Sequence, residues 1–159
     1  MPYKNKNKVN LKNAYYHAYN RGLKMKTTFY SKGDYLSFIE LITTQSEIFD
    51  IEILAFCLMP NHYHFLIKQK EKGEMGKFFQ NLNSKYARRF NEKYREKGQM
   101  WEGTYCANII KTRNEIENII HYIHQNPIDI VGNTKDYPYS SYADYLGAKY
   151  YKFIKRVRP

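Results

Sequence analysis

The sequence predicts an α+β fold: a ferredoxin-like (RRM-like) β-α-β-β-α-β antiparallel sheet with an added C-terminal helix. Three observations lead to this fold. Strand-like and helix-like hydrophobic patterns alternate in that order, a Pro60-Asn61 turn joins two apolar runs, and a long stretch carries apolar residues at every fourth position. The 159 residues, of which 43% are hydrophobic, suffice for one domain with a substantial core. The fold alone does not distinguish a binding protein from an enzyme.

The first half of the chain predicts a strand, a helix and a hairpin. Residues 14–20 read as the first strand. Residues 34–45 predict a helix capped by Asp34, because apolar side chains recur there three or four residues apart. Residues 51–58 are apolar on both sides, which indicates a central strand. Residues 62–68 then form the second arm of the hairpin, after the proline-containing turn.

The second half predicts a long helix, a strand and a final helix. Apolar side chains recur every fourth residue over residues 74–97, and Gly98 is expected to end this helix. Residues 105–110 predict the fourth strand, and residues 114–125 predict a helix that must stop before Pro127. The polar side of the long helix carries basic residues that are candidates for contacts with a polyanion: Lys85, Arg88, Arg89, Lys93 and Arg95.

Charge and composition indicate the class of partner. Lysine and arginine number 26 against 15 acidic residues, and the net charge of +11 favours a nucleic acid. We expect a basic N-terminal arm at 1–12, one domain at 13–147 and a basic tail at 148–159. Two isolated cysteines do not form a disulfide framework, and neither a signal-peptide pattern nor a membrane-spanning run is present. These features predict a cytoplasmic protein without a membrane partner.

The tripeptide His62-Tyr63-His64 is the first candidate for chemistry. It lies in the predicted third strand, where residues two apart project from the same face, so both imidazoles can reach one point. Such a pair can bind a metal ion, although a half-buried pair hydrogen-bonded to the backbone is the more common case. A metal site also needs a third ligand and room for a substrate.

The final predicted helix offers a second pair of polar side chains. Tyr122 and Asn126 are four residues apart and therefore share one helical face. Ile116, Ile120 and Ile123 anchor a neighbouring face to the core, so the tyrosine and the asparagine can face the sheet together. In the alternative interpretation, the tyrosine is a packing residue and the asparagine is a helix C-cap before the following proline.

Five stretches carry a resemblance to a known family, in the family's order and spacing, over about residues 20–147. They are Tyr19-Asn-Arg-Gly22, Ala55-Phe-Cys-Leu-Met-Pro-Asn-His-Tyr-His-Phe-Leu-Ile67, Met100-Trp-Glu-Gly-Thr-Tyr105, Tyr122-Ile-His-Gln-Asn-Pro127 and Tyr137-Pro-Tyr-Ser-Ser-Tyr142. On these motifs the chain resembles the single-tyrosine HUH transposases of insertion sequences, and among them the REP-associated tyrosine transposases. The hydrophobic residue between the two histidines of the HUH motif corresponds to Tyr63.

The resemblance implies a role for each candidate residue. His62 and His64 would bind a divalent metal, Mg²⁺ or Mn²⁺, with Asn126 as the third ligand and Gln125 as its rival for that place. Tyr122 would be the nucleophile that cleaves single-stranded DNA and forms a 5′-phosphotyrosine intermediate, from which the strand is rejoined.

The resemblance also implies a partner and an assembly. The partner would be single-stranded DNA with a hairpin beside the cleavage site, and the protein would act as a monomer or a homodimer. Arg21 is expected to contact this DNA together with the basic residues of the long helix. The competing interpretation is a non-catalytic or domesticated DNA- or RNA-binding protein on the same fold, which would have no need to keep the histidines and the tyrosine.

Overall fold

A computed structural model describes residues 10–148 and 151–157, so most of the predicted N-terminal arm and residues 149, 150, 158 and 159 of the basic tail lie outside the described residues. The four strands are β1 (Ala14–Arg21), β2 (Ile51–Met59), β3 (His62–Gln69) and β4 (Cys106–Ile110). They form one sheet in the order β2-β3-β1-β4, and each neighbouring pair is antiparallel. The helices are α1 (Lys32–Ile48), α2 (Glu74–Tyr94), α3 (Arg113–Gln125) and the short α4 (Ile128–Val131) and α5 (Tyr142–Tyr145). The element order and the pairing confirm the predicted ferredoxin-like fold.

Helices α1 and α2 cover one face of the sheet and enclose an aromatic core. Phe38 of α1 and Phe79 of α2 are fully buried and pack against Tyr63 and Phe65 of β3. The hydroxyl of Tyr63 donates to Asn83 Oδ1 of α2 at 3.0 Å, which satisfies the polar end of a buried tyrosine. Some of the chain's tyrosines are therefore core residues.

Helix α3 lies on the opposite face of the sheet, over a second and smaller core. A β-bulge between Ile53 and Ala55 places two consecutive residues of β2, Leu54 and Ala55, in this second core. Cys57 also lies there and is fully buried. Ile123 of α3 packs against these side chains and is fully buried. This layer carries the candidate site.

The chain after α4 covers the outer edge of β2. The hydroxyls of Tyr137 and Tyr145 donate to the carbonyls of Leu58 and Leu54. Farther along, the amide of Lys155 donates to the carbonyl of Ile53 at 2.8 Å. Exposed strand edges are templates for unwanted pairing, and these contacts close most of this one. The described part of the basic tail is thus packed against the sheet.

Helices α1 and α3 extend by one to three residues beyond their predicted bounds, and two of the differing ends have clear local reasons. Ser31, and not Asp34, is the N-cap of α1, because Asp34 occupies the third helical position of a capping box and accepts from the amides of Tyr30 and Ser31. Helix α2 ends at Tyr94, since Arg95 adopts a left-handed conformation with φ of 51° and breaks the helix before Gly98.

Asp34 also joins α1 to α2. It accepts from Lys93 Nζ at 2.8 Å and from the hydroxyl of Tyr94 at 2.6 Å. Burial by itself would raise the pKa of this carboxyl, but these hydrogen bonds and those from the backbone outweigh burial and hold the pKa below its usual value. The ionised carboxylate therefore stabilises both the start of α1 and the contact between the two helices.

We expect Asp34→Ala to lower the free energy of unfolding by about 2–3 kcal/mol, because it removes the carboxylate of the capping box and leaves its partly buried donors unpaired. Denaturant unfolding monitored by circular dichroism measures the change. The matched control is Glu40→Ala, which removes the exposed ion pair between Glu40 and Arg89 across the same two helices and should cost less than about 1 kcal/mol. Equal losses in the two variants would contradict the role given to Asp34.

Candidate active site

The two histidines of β3 share one face of the sheet, as their spacing predicted. His62 is half-buried, His64 is buried, and their ring centres lie 5.2 Å apart. Tyr63, between them, points to the opposite face and is fully buried in the aromatic core. Antiparallel pairing sets Arg21 of β1 opposite His62. The histidines thus face the α3 layer at the end of the β2–β3 hairpin.

Helix α3 brings the second predicted pair to the histidines. The Tyr122 ring centre lies 5.4 Å from that of His64, and Asn126 Oδ1 lies 3.0 Å from His62 Nε2. Tyr122 is 39% exposed, so its side chain remains accessible to a substrate. Asn126 is also the C-cap of α3, so the two roles considered for it from the sequence coexist. Gln125, the rival ligand, is partly buried next to it.

Two features of the sequence fix the position of α3. Thr112 and Glu115 form a capping box, in which the threonine hydroxyl accepts from the Glu115 amide and the glutamate accepts from the Thr112 amide. Toward the other end, His124 Nε2 lies 2.8 Å from Ser141 Oγ, and Ser141 Oγ accepts from the amide of Phe56 in β2. Tyr122 and Asn126 are therefore carried by a helix whose first turn is capped and whose last turn is tied to β2.

The surroundings of His62 fit a bound cation. Its Nδ1 lies 2.7 Å from Asn61 Oδ1, and its Nε2 lies 3.0 Å from Asn126 Oδ1, so both ring nitrogens face amide oxygens. A neutral imidazole has one N–H and can satisfy one of them. Burial lowers the pKa of His62, which disfavours the doubly protonated ring, although the contact with Asn126 opposes this effect. A cation between Nε2 and the Asn126 oxygen would satisfy both lone pairs.

A third histidine, which sequence reasoning missed, lies beside this pair. His17 Nε2 of β1 is 3.0 Å from His64 Nδ1, and the two rings stack with centres 5.2 Å apart. Burial lowers the pKa of His17 to about 4, and burial with the two neighbouring histidines lowers that of His64 well below its ordinary value. Both imidazoles are therefore neutral at pH 7. Within residues 10–148 and 151–157, no group of three His, Cys, Asp or Glu side chains is arranged to hold a metal.

The predicted DNA-contacting residues fall into two places. Arg21 lies beside His62 by strand pairing, with Nη2 3.8 Å from Glu102 Oε1. The basic residues of the long helix lie on the opposite side of the sheet from the histidines, since α2 packs on the aromatic core. Arg89 and Lys93 also pair with acidic side chains of α1, while the other three are exposed: Lys85, Arg88 and Arg95. Their contact with DNA stays a prediction.

Trp101 is a core residue. It is 6% exposed, and its indole N–H donates to the carbonyl of Asn83 at 3.1 Å. A cavity of about 620 Å³ beside it is lined by one side of α2 and by residues 98–105. Neither the histidines nor Tyr122 line this cavity, so it is separate from the candidate active site.

Comparison with known proteins identifies the family. The family model described as IS200-like transposase matches residues 10–126, a range that includes every residue of the candidate site. The chain belongs to the IS200-like transposase family. It is 30% identical over 118 residues to a Haemophilus influenzae protein with the curated name of a REP-associated tyrosine transposase. That alignment covers 66% of each, so the chain spans just under two thirds of the relative's length.

Solved structures support the fold of this IS200-like transposase. A REP-associated tyrosine transposase bound to a REP hairpin superposes with a TM-score of 0.74 at 14% identity, covering 96% of this chain and 98% of that one. A Deinococcus radiodurans protein described as a transposase superposes with a TM-score of 0.51 at 18% identity, covering 76% and 98%. Together with the family match, these similarities confirm the resemblance found in the motifs. None of the helices in the described ranges is long and apolar enough to span a membrane.

The contact between His124 and Ser141 ties α3 to the sheet, and it can be tested through the titration of His124. Burial lowers its pKa from 6.5 to about 4, so the unfolded chain takes up a proton at this residue between those values while the folded chain does not. Its contribution to stability is complete above pH 6.5 and is lost as the pH falls. We expect His124→Gln to reduce the pH dependence of the free energy of unfolding by up to about 1.4 kcal/mol per pH unit in this window.

Denaturant unfolding between pH 7.5 and 4 measures this dependence. Ser141→Ala is the matched control, because it breaks the same contact but keeps the titrating imidazole. That variant should be less stable at every pH and should retain most of the pH dependence. An unchanged pH dependence in His124→Gln would show that the residue does not titrate as its burial requires.

Proposed function

We propose that the protein cleaves and rejoins single-stranded DNA through a covalent bond between Tyr122 and a 5′ phosphate, with the help of a divalent metal. The observation that carries the proposal is the meeting of α3 with β3, which sets Tyr122 against His64 and Asn126 against His62 in one layer. Membership of the IS200-like transposase family supports the same reaction class.

In the proposed reaction, the phenol oxygen of Tyr122 attacks a phosphodiester in the DNA. A bond forms between this oxygen and phosphorus, the bond from phosphorus to the 3′ oxygen breaks, and a 3′-OH is released. The phenol gives up its proton and the leaving 3′ oxygen gains one, so protons balance. Because the phosphotyrosine bond retains the energy of the broken bond, attack by a 3′-OH can reseal the strand without a nucleotide cofactor.

His62, His64 and Asn126 would hold the metal, which we propose to be Mg²⁺ or Mn²⁺. Two neutral imidazoles suit Mn²⁺, and the amide oxygen suits either ion. The bound ion would polarise the scissile phosphate and stabilise the charge that develops on it during transfer. The protein's own contribution is to keep both imidazoles neutral by burial and to present Tyr122 beside them.

The proposed substrate is single-stranded DNA with a hairpin near the cleavage site. Support comes from the REP-associated transposase that was solved bound to a REP hairpin and shares this fold. We propose that Arg21, next to His62, contacts the DNA backbone at the site and that the exposed basic residues of α2 contact it elsewhere. One chain supplies both the histidines and Tyr122 in contact, which favours catalysis within a single protomer.

We expect Tyr122→Phe to abolish covalent attachment to DNA while DNA binding survives, because the ring remains and the nucleophile is lost. The measurement is a denaturing gel of the protein with 5′- or 3′-labelled single-stranded oligonucleotides in Mn²⁺. Tyr142→Phe is the control, since Tyr142 lies against His124 on the same side of the sheet but does not enter the proposed site. A labelled adduct with the Tyr122→Phe protein would refute the assignment, and binding without any adduct in the parent chain would favour a non-catalytic DNA-binding protein.

The third ligand can be tested by comparing adjacent residues. We expect Asn126→Ala to weaken metal-dependent cleavage by about tenfold or more, because it removes the oxygen that faces His62 Nε2. Gln125→Ala should change cleavage little. The rate of cleavage as a function of Mn²⁺ concentration separates the two, and His62→Ala gives the result expected for full loss of a ligand. The reverse order of effects would assign the ligand to Gln125.

A further inference from the structure

Each of the two candidate metal-binding histidines has its Nδ1 held by another side chain. Asn61 Oδ1 lies 2.7 Å from Nδ1 of His62, and His17 Nε2 lies 3.0 Å from Nδ1 of His64. In both rings the engaged atom is the same one. Nε2 is then the nitrogen left for any other partner, and in His62 this Nε2 already faces Asn126.

The chemistry of the partners restricts where each histidine carries its proton. An amide oxygen only accepts hydrogen bonds, so neutral His62 can donate either to Asn61 from Nδ1 or to Asn126 from Nε2, and the shorter contact, 2.7 Å against 3.0 Å, favours the proton on Nδ1. The contact between His17 and His64 joins two imidazoles, and either ring can donate. If His64 donates, its Nε2 keeps a lone pair for a metal, whereas if His17 donates, the proton of His64 occupies Nε2 and blocks it.

We propose that His17 and Asn61 are positioning residues that hold His64 and His62 as the Nδ1–H tautomers, with both Nε2 atoms available to the metal. The inference rests on the metal site of the proposed function and extends it to two residues outside the ligand set. Partners that donate to or accept from the distal nitrogen commonly set the orientation and tautomer of metal-binding histidines.

Both residues lie at places where their side chains have little freedom. His17 is buried on β1, a central strand paired with β3 on one side and β4 on the other, and its ring stacks on His64. Asn61 lies in the turn before β3, where its carbonyl accepts from the amide of Gly22 at 2.9 Å. The His17 ring also meets Tyr122 edge-on at 5.8 Å, so it borders the nucleophile and one ligand at once.

The test compares two amides of different length at one position. In His17→Gln, the side-chain oxygen occupies about the place of imidazole Nε2 and can accept from His64. In His17→Asn, the oxygen is one bond shorter and falls near the place of Nδ1, out of reach of His64. At the turn, Asn61→Asp keeps an acceptor and Asn61→Ala removes it. The unfolding midpoint of each variant reports whether the fold is intact.

Two readouts address the proposal directly. The first is the affinity for Mn²⁺ alone, measured from the electron paramagnetic resonance signal of the free ion during titration. We expect His17→Asn and Asn61→Ala to bind Mn²⁺ about 10–100-fold more weakly than the parent chain, and His17→Gln and Asn61→Asp to stay within about threefold.

The second readout is ¹⁵N NMR of the histidine rings without metal, which reports the tautomer of each ring. We expect Nδ1–H on His62 and His64 in the parent, and a gain of Nε2–H on His64 in His17→Asn.

The outcomes separate this proposal from the proposed function. A folded His17→Asn protein that binds Mn²⁺ as tightly as the parent, or an Nε2–H tautomer at His64 in the parent, would overturn the positioning role while leaving the metal site standing. Equal weakening in the Gln and Asn variants would also overturn it, because the reach of the acceptor would then be irrelevant. A parent chain that binds no Mn²⁺ would refute the metal part of the proposed function and this inference with it. If the His17 variants do not fold, the Asn61 pair decides by the same criteria.

Discussion

The docking of α3 onto the sheet is the contact on which the candidate site depends. Two of its residues, Tyr122 and Asn126, come from this helix, and the two histidines come from β3. The helix is held by the buried side chains of Ile123 and His124, which stand between the tyrosine and the asparagine in sequence. A rotation that freed these anchors would move Tyr122 and Asn126 together away from the histidines, so burial of one helical face sets the geometry of the other.

Part of the support for α3 comes from a stretch of the chain that the family model does not match. The matched region ends at residue 126, but Ser141, which joins His124 to the backbone of Phe56, lies beyond it. The same segment supplies Tyr137 and Tyr145, whose hydroxyls donate to carbonyls of β2. One stretch of chain therefore closes the sheet edge and holds the helix of the candidate site, which gives the Tyr-Pro-Tyr-Ser-Ser-Tyr motif a structural reason.

The sequence predicts what depends on local periodicity and misses what depends on pairing. The alternation of a strand places His62 and His64 on one face, and the helical repeat places Tyr122 four residues from Asn126, so these relations were available without a structure. The contact of His17 with His64 follows from the register of β1 against β3, which no local pattern specifies. Aspartate suits both the N-cap and the third helical position, so the sequence predicts a cap at Asp34, and only the backbone distinguishes the two positions.

The buried histidines show why spacing alone could not assign their chemistry. Burial lowers the pKa of His62 and of His124 alike, and both rings are neutral at pH 7. His124 faces a serine hydroxyl, which can donate or accept, so its contact is satisfied within the protein. His62 faces amide oxygens on both sides, and a neutral ring with one proton satisfies one of them. The lone pair left without a proton at His62 is what supports the proposed cation there, whereas the contact of His124 is complete within the protein.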